Sequence, residues 1–406
     1  MRAETFIAHR LYFESATRQR TSRPAIRVAL AGIIIGVAVM VITLCVVIGF
    51  KRTITQQVAF FGAHIQLTNF DNNSTYELQP IVVTDSLVRA LQRIPSVERA
   101  QPFLTKPGII KTADQFQGII LKAADSWQSF EPYLLEGHLP ESEQQVLLSR
   151  TLSRQLCLAT GDDVFCYFVG ETVRVRKWQV AGIYATGFEE ADSRFVLATP
   201  KAIRRLNGWR DNQASGIEIY LSDLARLDEA ADQVWYMTAN RLDEDGNALY
   251  SQTLEQLNPQ IFAWLDLLDM NVVVILLLMM AVSGFNIVSG LIILILESVR
   301  LIGTLKALGA NNRFVRRIFI TEAVMLIGKG MGWGNIVGLG LTAVQNFTHL
   351  IPLDASTYYV SYVPVAFPWG AIVLLNAGVL LVSFLILLAP SGIATRISPA
   401  RVMRYE

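Results

Sequence analysis

Charge is scarce in this sequence: Asp, Glu, Lys and Arg make up 17% of 406 residues, against about 25% in an average soluble domain. That shortage argues against a chain that is soluble throughout. Histidine is also rare. His9, His64, His138 and His349 are scattered, with no HExxH and no paired Cys/His spacing, so no metal centre is expected. There is no GxSxG, and the carboxylates show no spacing that marks a catalytic pair; a solvated acidic surface accounts for them. The string GxxxxGK[ST] does not occur either, so the sequence offers no Walker-type phosphate cradle and no cofactor site.

Hydrophobic residues are abundant, at 52%. They concentrate in four runs, 28–50, 272–296, 318–347 and 369–389, each long enough at about 1.5 Å per residue to cross a hydrocarbon core of about 30 Å. The first run exceeds the core of a secretory signal and is preceded by 27 residues, so it reads as an uncleaved span. The expected division is a segment 1–27, spans 28–50, 271–296, 318–347 and 369–390, a large segment 51–270, short connections 297–317 and 348–368, and a tail 391–406.

The net charge of +1 conceals a segregation of sign. Residues 51–270 hold 28 of the 34 acidic side chains and 20 of the 35 basic ones, a net charge of −8. The N-terminal segment carries Arg2, Arg10, Arg18, Arg20, Arg23 and Arg27. Arg300, Lys306, Arg313, Arg316 and Arg317 follow the second run, Arg396, Arg401 and Arg404 follow the fourth, and 348–368 has no Lys or Arg. By the positive-inside rule both termini and 297–317 are cytoplasmic, while 51–270 and 348–368 face outward. Lys51 and Arg52 dissent, and read as snorkelling side chains or part of a stalk.

Alternation over 63–68, 173–180 and 216–221 predicts strands in the outward segment. Apolar spacing over 85–94, 144–156 and 224–237 predicts helices. The segment is therefore α+β, in two lobes. A helix from 254 to 269, broken near Pro259, runs into the second span; that continuity fits either movement coupled between domain and span or plain anchoring. Of three cysteines, Cys45 lies in the first span. Cys157 and Cys166 lie outside it, where they could form a disulfide in an oxidising compartment or remain buried thiols.

After the second run the chain reads ESVRLIGTLKALGA, from Glu297 to Ala310. Leu301, Leu305 and Leu308 form one stripe of a short amphipathic helix that Gly309 is placed to end. Such a helix can fill a groove on a soluble partner or lie as a juxtamembrane turn. In the third span Lys329 stands among Gly328, Gly330, Gly332 and Gly334. A charge there either faces a polar interface, with Glu322, Asn335 or a lipid phosphate as partner, or lies near the inner surface. Asn335 and Asn286 complete a possible intramembrane polar site. Gly330, Gly334 and Gly338 offer a small-residue packing face.

The run ESVRLIGTLKALGA resembles the cytoplasmic coupling-helix signature of the FtsX/MacB superfamily of ABC transporter permeases. Val180-Ala-Gly-Ile-Tyr-Ala-Thr-Gly-Phe-Glu-Glu-Ala-Asp192, the string Phe285-Asn286-Ile287, and Leu353-Asp354 with Tyr358-Tyr359-Val360-Ser361 resemble stretches of the LolC/LolE lipoprotein-releasing permeases within it, with Ala191 where that group usually has Tyr. The resemblance implies an α-helical membrane protein with four transmembrane helices and a large α+β periplasmic domain between helices 1 and 2, of the MacB-like periplasmic core type. It implies no catalysis by this chain, ATP and Mg being used by a separate LolD-like ATPase. Glu297, Arg300, Gly303, Leu305, Lys306, Leu308 and Gly309 would couple to that ATPase. The implied partners are a second permease chain, a lipoprotein, a LolA-like periplasmic carrier and membrane lipids, with no nucleic acid, in a bacterial inner membrane. FtsX-like mechanotransmission to a cell-wall hydrolase and MacB-like efflux are the alternative functions that the superfamily offers.

Overall fold

A computed structural model describes residues 23–73, 78–112, 115–124, 130–168, 173–239 and 241–388. In chain order the elements are α1 (Arg23–Gly62), β1 (Ile65–Asn69), β2 (Ile81–Val82), α2 (Asp85–Gln92), β3 (Val97–Lys111), β4 (Phe116–Ala124), β5 (Leu134–Gly137), β6 (Gln145–Ser149), α3 (Arg150–Leu156), β7 (Asp163–Phe168) and β8 (Arg174–Tyr184). There follow β9 (Phe195–Ala198), α4 (Pro200–Asn207), β10 (Gln213–Ala214), β11 (Gly216–Leu221), α5 (Leu227–Thr238), β12 (Leu249–Thr253), α6 (Pro259–Glu297), α7 (Val299–Ala307), α8 (Asn312–Thr348) and α9 (Trp369–Leu388). The described residues divide into two compact units, one comprising 23–52, Leu265–Ile351 and 363–388, the other those within Thr53–Trp264 and Pro352–Tyr362.

Among the described residues four helices are long and apolar enough to cross a membrane: Arg27–Gly62, Pro259–Leu296, Asn312–Thr348 and Trp369–Leu387. Only α9, with 20 residues, matches a hydrocarbon core; α1, with 40, is about 60 Å long, twice that thickness. The first unit's core joins Ile33, Val37 and Val41 of α1 to Ile287 and Leu291 of α6 and Phe319 and Ile327 of α8. Glycine lets the backbones close. A Cβ on Gly334 would stand 2.7 Å from Val37 Cβ and one on Gly338 3.1 Å from the Ala38 carbonyl oxygen, so the small-residue face of α8 seats α1. Lys51, the dissenter in the charge pattern, pairs with Asp269 of α6.

The second unit is built on a sheet of ten strands, ordered β12-β1-β11-β3-β4-β9-β6-β8-β5, with β7 paired to both β3 and β8. One sheet therefore runs through what the sequence suggests as two lobes. The helix expected over 144–156 is a strand and a helix. Val146, Leu147, Leu148 and Ser149 are all fully buried, because β6 lies between β8 and β9. A strand covered on both faces shows a continuous apolar run, which periodicity does not distinguish from a buried helix. Ser149 then caps α3, accepting from the Leu152 N–H at 3.0 Å. At the far end of the unit a one-turn helix, Leu254–Leu257, precedes α6, whose first residue is Pro259, the position where a missing N–H costs nothing.

Candidate functional site

The segment 297–310 folds as a helix with a built stop. Gly309 has φ +93°; its N–H donates to Lys306 O at 3.0 Å and that of Ala310 to Leu305 O at 2.9 Å. This pair of bonds is a Schellman ending, which requires a residue tolerant of the left-handed region. The packing differs from the expected stripe. Ile302, fully buried, joins Val315 and Phe319 in the first unit's core, and Gly303 is buried beside it. Leu301, Leu305 and Lys306 are half-buried, while Thr304, Ala307, Leu308 and Gly309 are exposed. Leu308, at 81% exposure, is a large apolar side chain at the end of this helix. The side chains of Glu297 and Arg300 lie outside those described.

Of the expected intramembrane polar residues, Asn335 and Asn286 meet different helices. Lys329 lies on an exposed face of α8. Asn335 instead meets Asn376 of α9: each amide donates to the other's oxygen, at 2.7 and 3.0 Å, and each also donates to the carbonyl four residues earlier on its own helix, Met331 and Ile372, at 2.8 Å. Both amides are thereby satisfied without water, which pins the register of α8 against α9. Asn286 packs over Gly32 and Ser283 over Gly36. Gly32-Ile-Ile-Ile-Gly36 in α1 is thus a second small-xxx-small face, visible in the sequence but outside the expected set.

Cys157 and Cys166 are both free thiols. Cys157 is exposed, with φ +55°, at the end of α3, and Cys166 is buried in β7 among Ile110, Val164 and Trp178. Burial pushes the Cys166 thiol up to about 12, leaving almost no thiolate to react at neutral pH. Treatment of the folded, unreduced chain with a maleimide is expected to modify Cys157 within minutes and Cys166 only after denaturation. A mass corresponding to a Cys157–Cys166 disulfide would contradict this assignment. Among the described residues no three His, Cys, Asp or Glu side chains gather as metal ligands. His64 is half-buried; its Nδ1 accepts from the Leu221 N–H at 2.9 Å, and burial lowers its pKa.

The second unit contains a charged pair that sequence inspection does not reveal. The Lys122 ammonium of β4 donates to the Glu218 carboxylate of β11 and to the Phe61 carbonyl in the last turn of α1. The side chains are only 5% and 0% exposed. Tyr220 donates to the other Glu218 oxygen at 3.1 Å, and the Arg99 guanidinium lies 4.4 Å from the centre of the Tyr220 ring. Lys122 also lines a cavity of about 670 Å³, with Phe61, Phe103, Ile120, Phe188, Phe195 and Tyr359 among its walls.

The family model of the MacB-like periplasmic core domain matches residues 28–235, more than half of the chain. The chain belongs to the FtsX/MacB superfamily. A second model, the FtsX-like permease C-terminal, matches 273–399, which includes the helical segment 297–310. The chain is 23% identical to the lipoprotein-releasing system transmembrane protein LolC of Neisseria meningitidis, over 93% of this chain and 94% of that protein. It is 23% identical to LolE of Haemophilus influenzae, over 92% of each. It is also 26% identical to the pyoverdine export ATP-binding/permease protein PvdT of Pseudomonas putida, over 93% of this chain but 57% of that protein.

For this member of the FtsX/MacB superfamily, the stretch 180–192 is a folded corner. The Asp192 carboxylate accepts from the Thr186 N–H at 3.1 Å, the Thr186 hydroxyl at 2.7 Å and the Gly187 N–H at 3.3 Å. Gly187 has φ +82°, so glycine suits the turn. Burial raises the Asp192 pKa and the Thr186 and Gly187 hydrogen bonds oppose it. Tyr184 donates to Phe195 O at 2.8 Å, fixing the start of β9 and the Phe195 ring on the cavity wall.

Proposed function

We propose that this chain is the permease subunit of an ABC system that releases lipoproteins from a bacterial inner membrane. Its homology to LolC and LolE supports this function, and the observation that carries it is the LolC match along 93% of the chain and 94% of the relative. The proposed topology has four spanning helices, both termini and 297–317 in the cytoplasm, and 51–270 and 348–368 in the periplasm, as the segregation of charge favours. ATP and Mg act at a separate ATPase, and this chain breaks no covalent bond. A second permease chain completes the pair, and a periplasmic carrier accepts the cargo.

Coupling to the ATPase runs through α7 and its ends. Leu308, with Thr304 and Ala307 beside it, inserts into a groove of the ATPase, while Ile302 and Gly303 seat the helix on its own unit. Glu297, Arg300, Leu305, Lys306 and Gly309 complete the docking segment. ATP binding then moves α7, and with it α6 and α8, which flank it in the chain. The continuity of α1 and α6 across the division between the units supports transmission to the sheet.

The test is depletion of the protein in its own cell, followed by fractionation of lipid-modified proteins. Lipoproteins destined for the outer membrane are expected to accumulate in the inner membrane; an unchanged distribution would overturn lipoprotein release. The PvdT similarity supports export of a small molecule as the second function, and export loss with normal lipoprotein sorting would select it.

A further inference from the structure

The cavity beside Lys122, at about 670 Å³, lies within the range of about 300–1,000 Å³ typical of small-molecule sites. Its apolar walls combine five aromatic side chains with aliphatic ones such as Ile120, Leu257 and Ile261. Its charges come in balanced pairs: Lys122 with Glu218, and Arg194 with Glu190 at 2.6 Å. An ammonium has three N–H donors. Among the described residues Lys122 gives two, to Glu218 and Phe61, and the rings of Phe103 and Phe195 stand 5.4 and 5.8 Å from its nitrogen. One donor of a 4% exposed lysine thus remains for an occupant.

Charge balance decides what that occupant carries. A carboxylate would bring an uncompensated charge beside Glu218, whereas a neutral carbonyl oxygen takes the third N–H without changing the net charge. Ala191, with its small side chain, is part of the cavity wall. We infer that this cavity binds an acyl chain by its ester or amide carbonyl, with the chain along the aromatic walls and the carbonyl oxygen accepting from Lys122. The lipoprotein-release function is needed only to say where the chain comes from, the lipid modification of the cargo or a membrane phospholipid.

Photocrosslinking of the full chain in lipid nanodiscs tests this without an ATPase or carrier, so its failure is distinct from failure of lipoprotein release. The first probe is a short peptide bearing a diazirine-labelled palmitoyl amide. Adducts are expected on peptides containing Phe103, Ile120 and Phe195, reduced at least fivefold by Ala191→Tyr or Ile120→Trp in protein that still melts cooperatively. The same diazirine in the acyl chain of a phosphatidylethanolamine forms the second arm: cavity adducts from it identify a membrane lipid as occupant, and adducts from the lipopeptide alone identify the cargo. Free diazirine palmitate is expected to label the cavity at least fivefold less. Absence of cavity adducts from both acyl probes, or labelling by palmitate as strong as by the amide, would overturn the assignment.

Discussion

Leu308→Glu is expected to weaken capture of the ATPase subunit by roughly thirtyfold, about 2 kcal/mol, while the permease remains at its normal level in the membrane. Leu308 is 81% exposed, so its removal costs the chain's own fold little. Burying a leucine in a partner's groove contributes about 1.5–3 kcal/mol, and a carboxylate in the same groove adds a desolvation penalty. Gly303→Glu is the contrasting variant. Gly303 is buried, so the charge displaces α7 from the core around Ile302 and lowers the amount of permease itself. Pull-down from solubilised membranes, normalised to permease content, separates the two. Undiminished capture by Leu308→Glu would remove α7 from the docking surface.

Lys122→Met is expected to destabilise the second unit by about 3–5 kcal/mol, since it strands the Glu218 carboxylate in the interior. It also leaves the Phe61 carbonyl without the ammonium that ends α1 favourably, a cation being stabilising at a helix C-terminus. Adding Glu218→Gln should recover most of the loss. The amide is neutral and still accepts from the Tyr220 hydroxyl, whose partner in the native unit is Glu218. Urea unfolding of the full chain, followed by the fluorescence of Trp178 and its neighbours, measures both variants. A single variant as stable as the native chain, or a double variant no better than the single, would show that the pair is not buried as described.

The long apolar helices, the segregation of charge and the short helix after the second of them are legible in the sequence because each depends on residues close together in the chain. A helix is set by periodicity within a few turns, and its end at Gly309 by bonds reaching back five residues or fewer. The small-residue face Gly330/Gly334/Gly338 follows from the same spacing. Its counterpart Gly32/Gly36 obeys the same rule, but only the packing of Asn286 and Ser283 shows which side chains use it. The strand β6 is misread as helix because Val146 to Leu148 are buried on both faces, and burial on both faces erases the two-residue alternation.

The remaining features join residues far apart in sequence. Lys122 and Glu218 are 96 positions apart, and no local pattern marks either, since a lone lysine in a strand usually points to water. They meet because β3 pairs with both β4 and β11, which brings two charges from flanking strands to one buried place. Asn335 and Asn376 are likewise 41 positions apart; in sequence Asn335 has no more claim on Asn376 than on Lys329. Sequence by itself determined which segments are apolar enough to cross a membrane, in which segments charge of each sign accumulates, and where a short helix stops, because hydrophobicity, net charge and backbone tolerance are properties of neighbouring residues. Only the tertiary structure decided which polar groups satisfy one another inside the protein and where a cavity remains, because the cost of burying a polar group is offset only by a partner that folding brings within hydrogen-bonding distance.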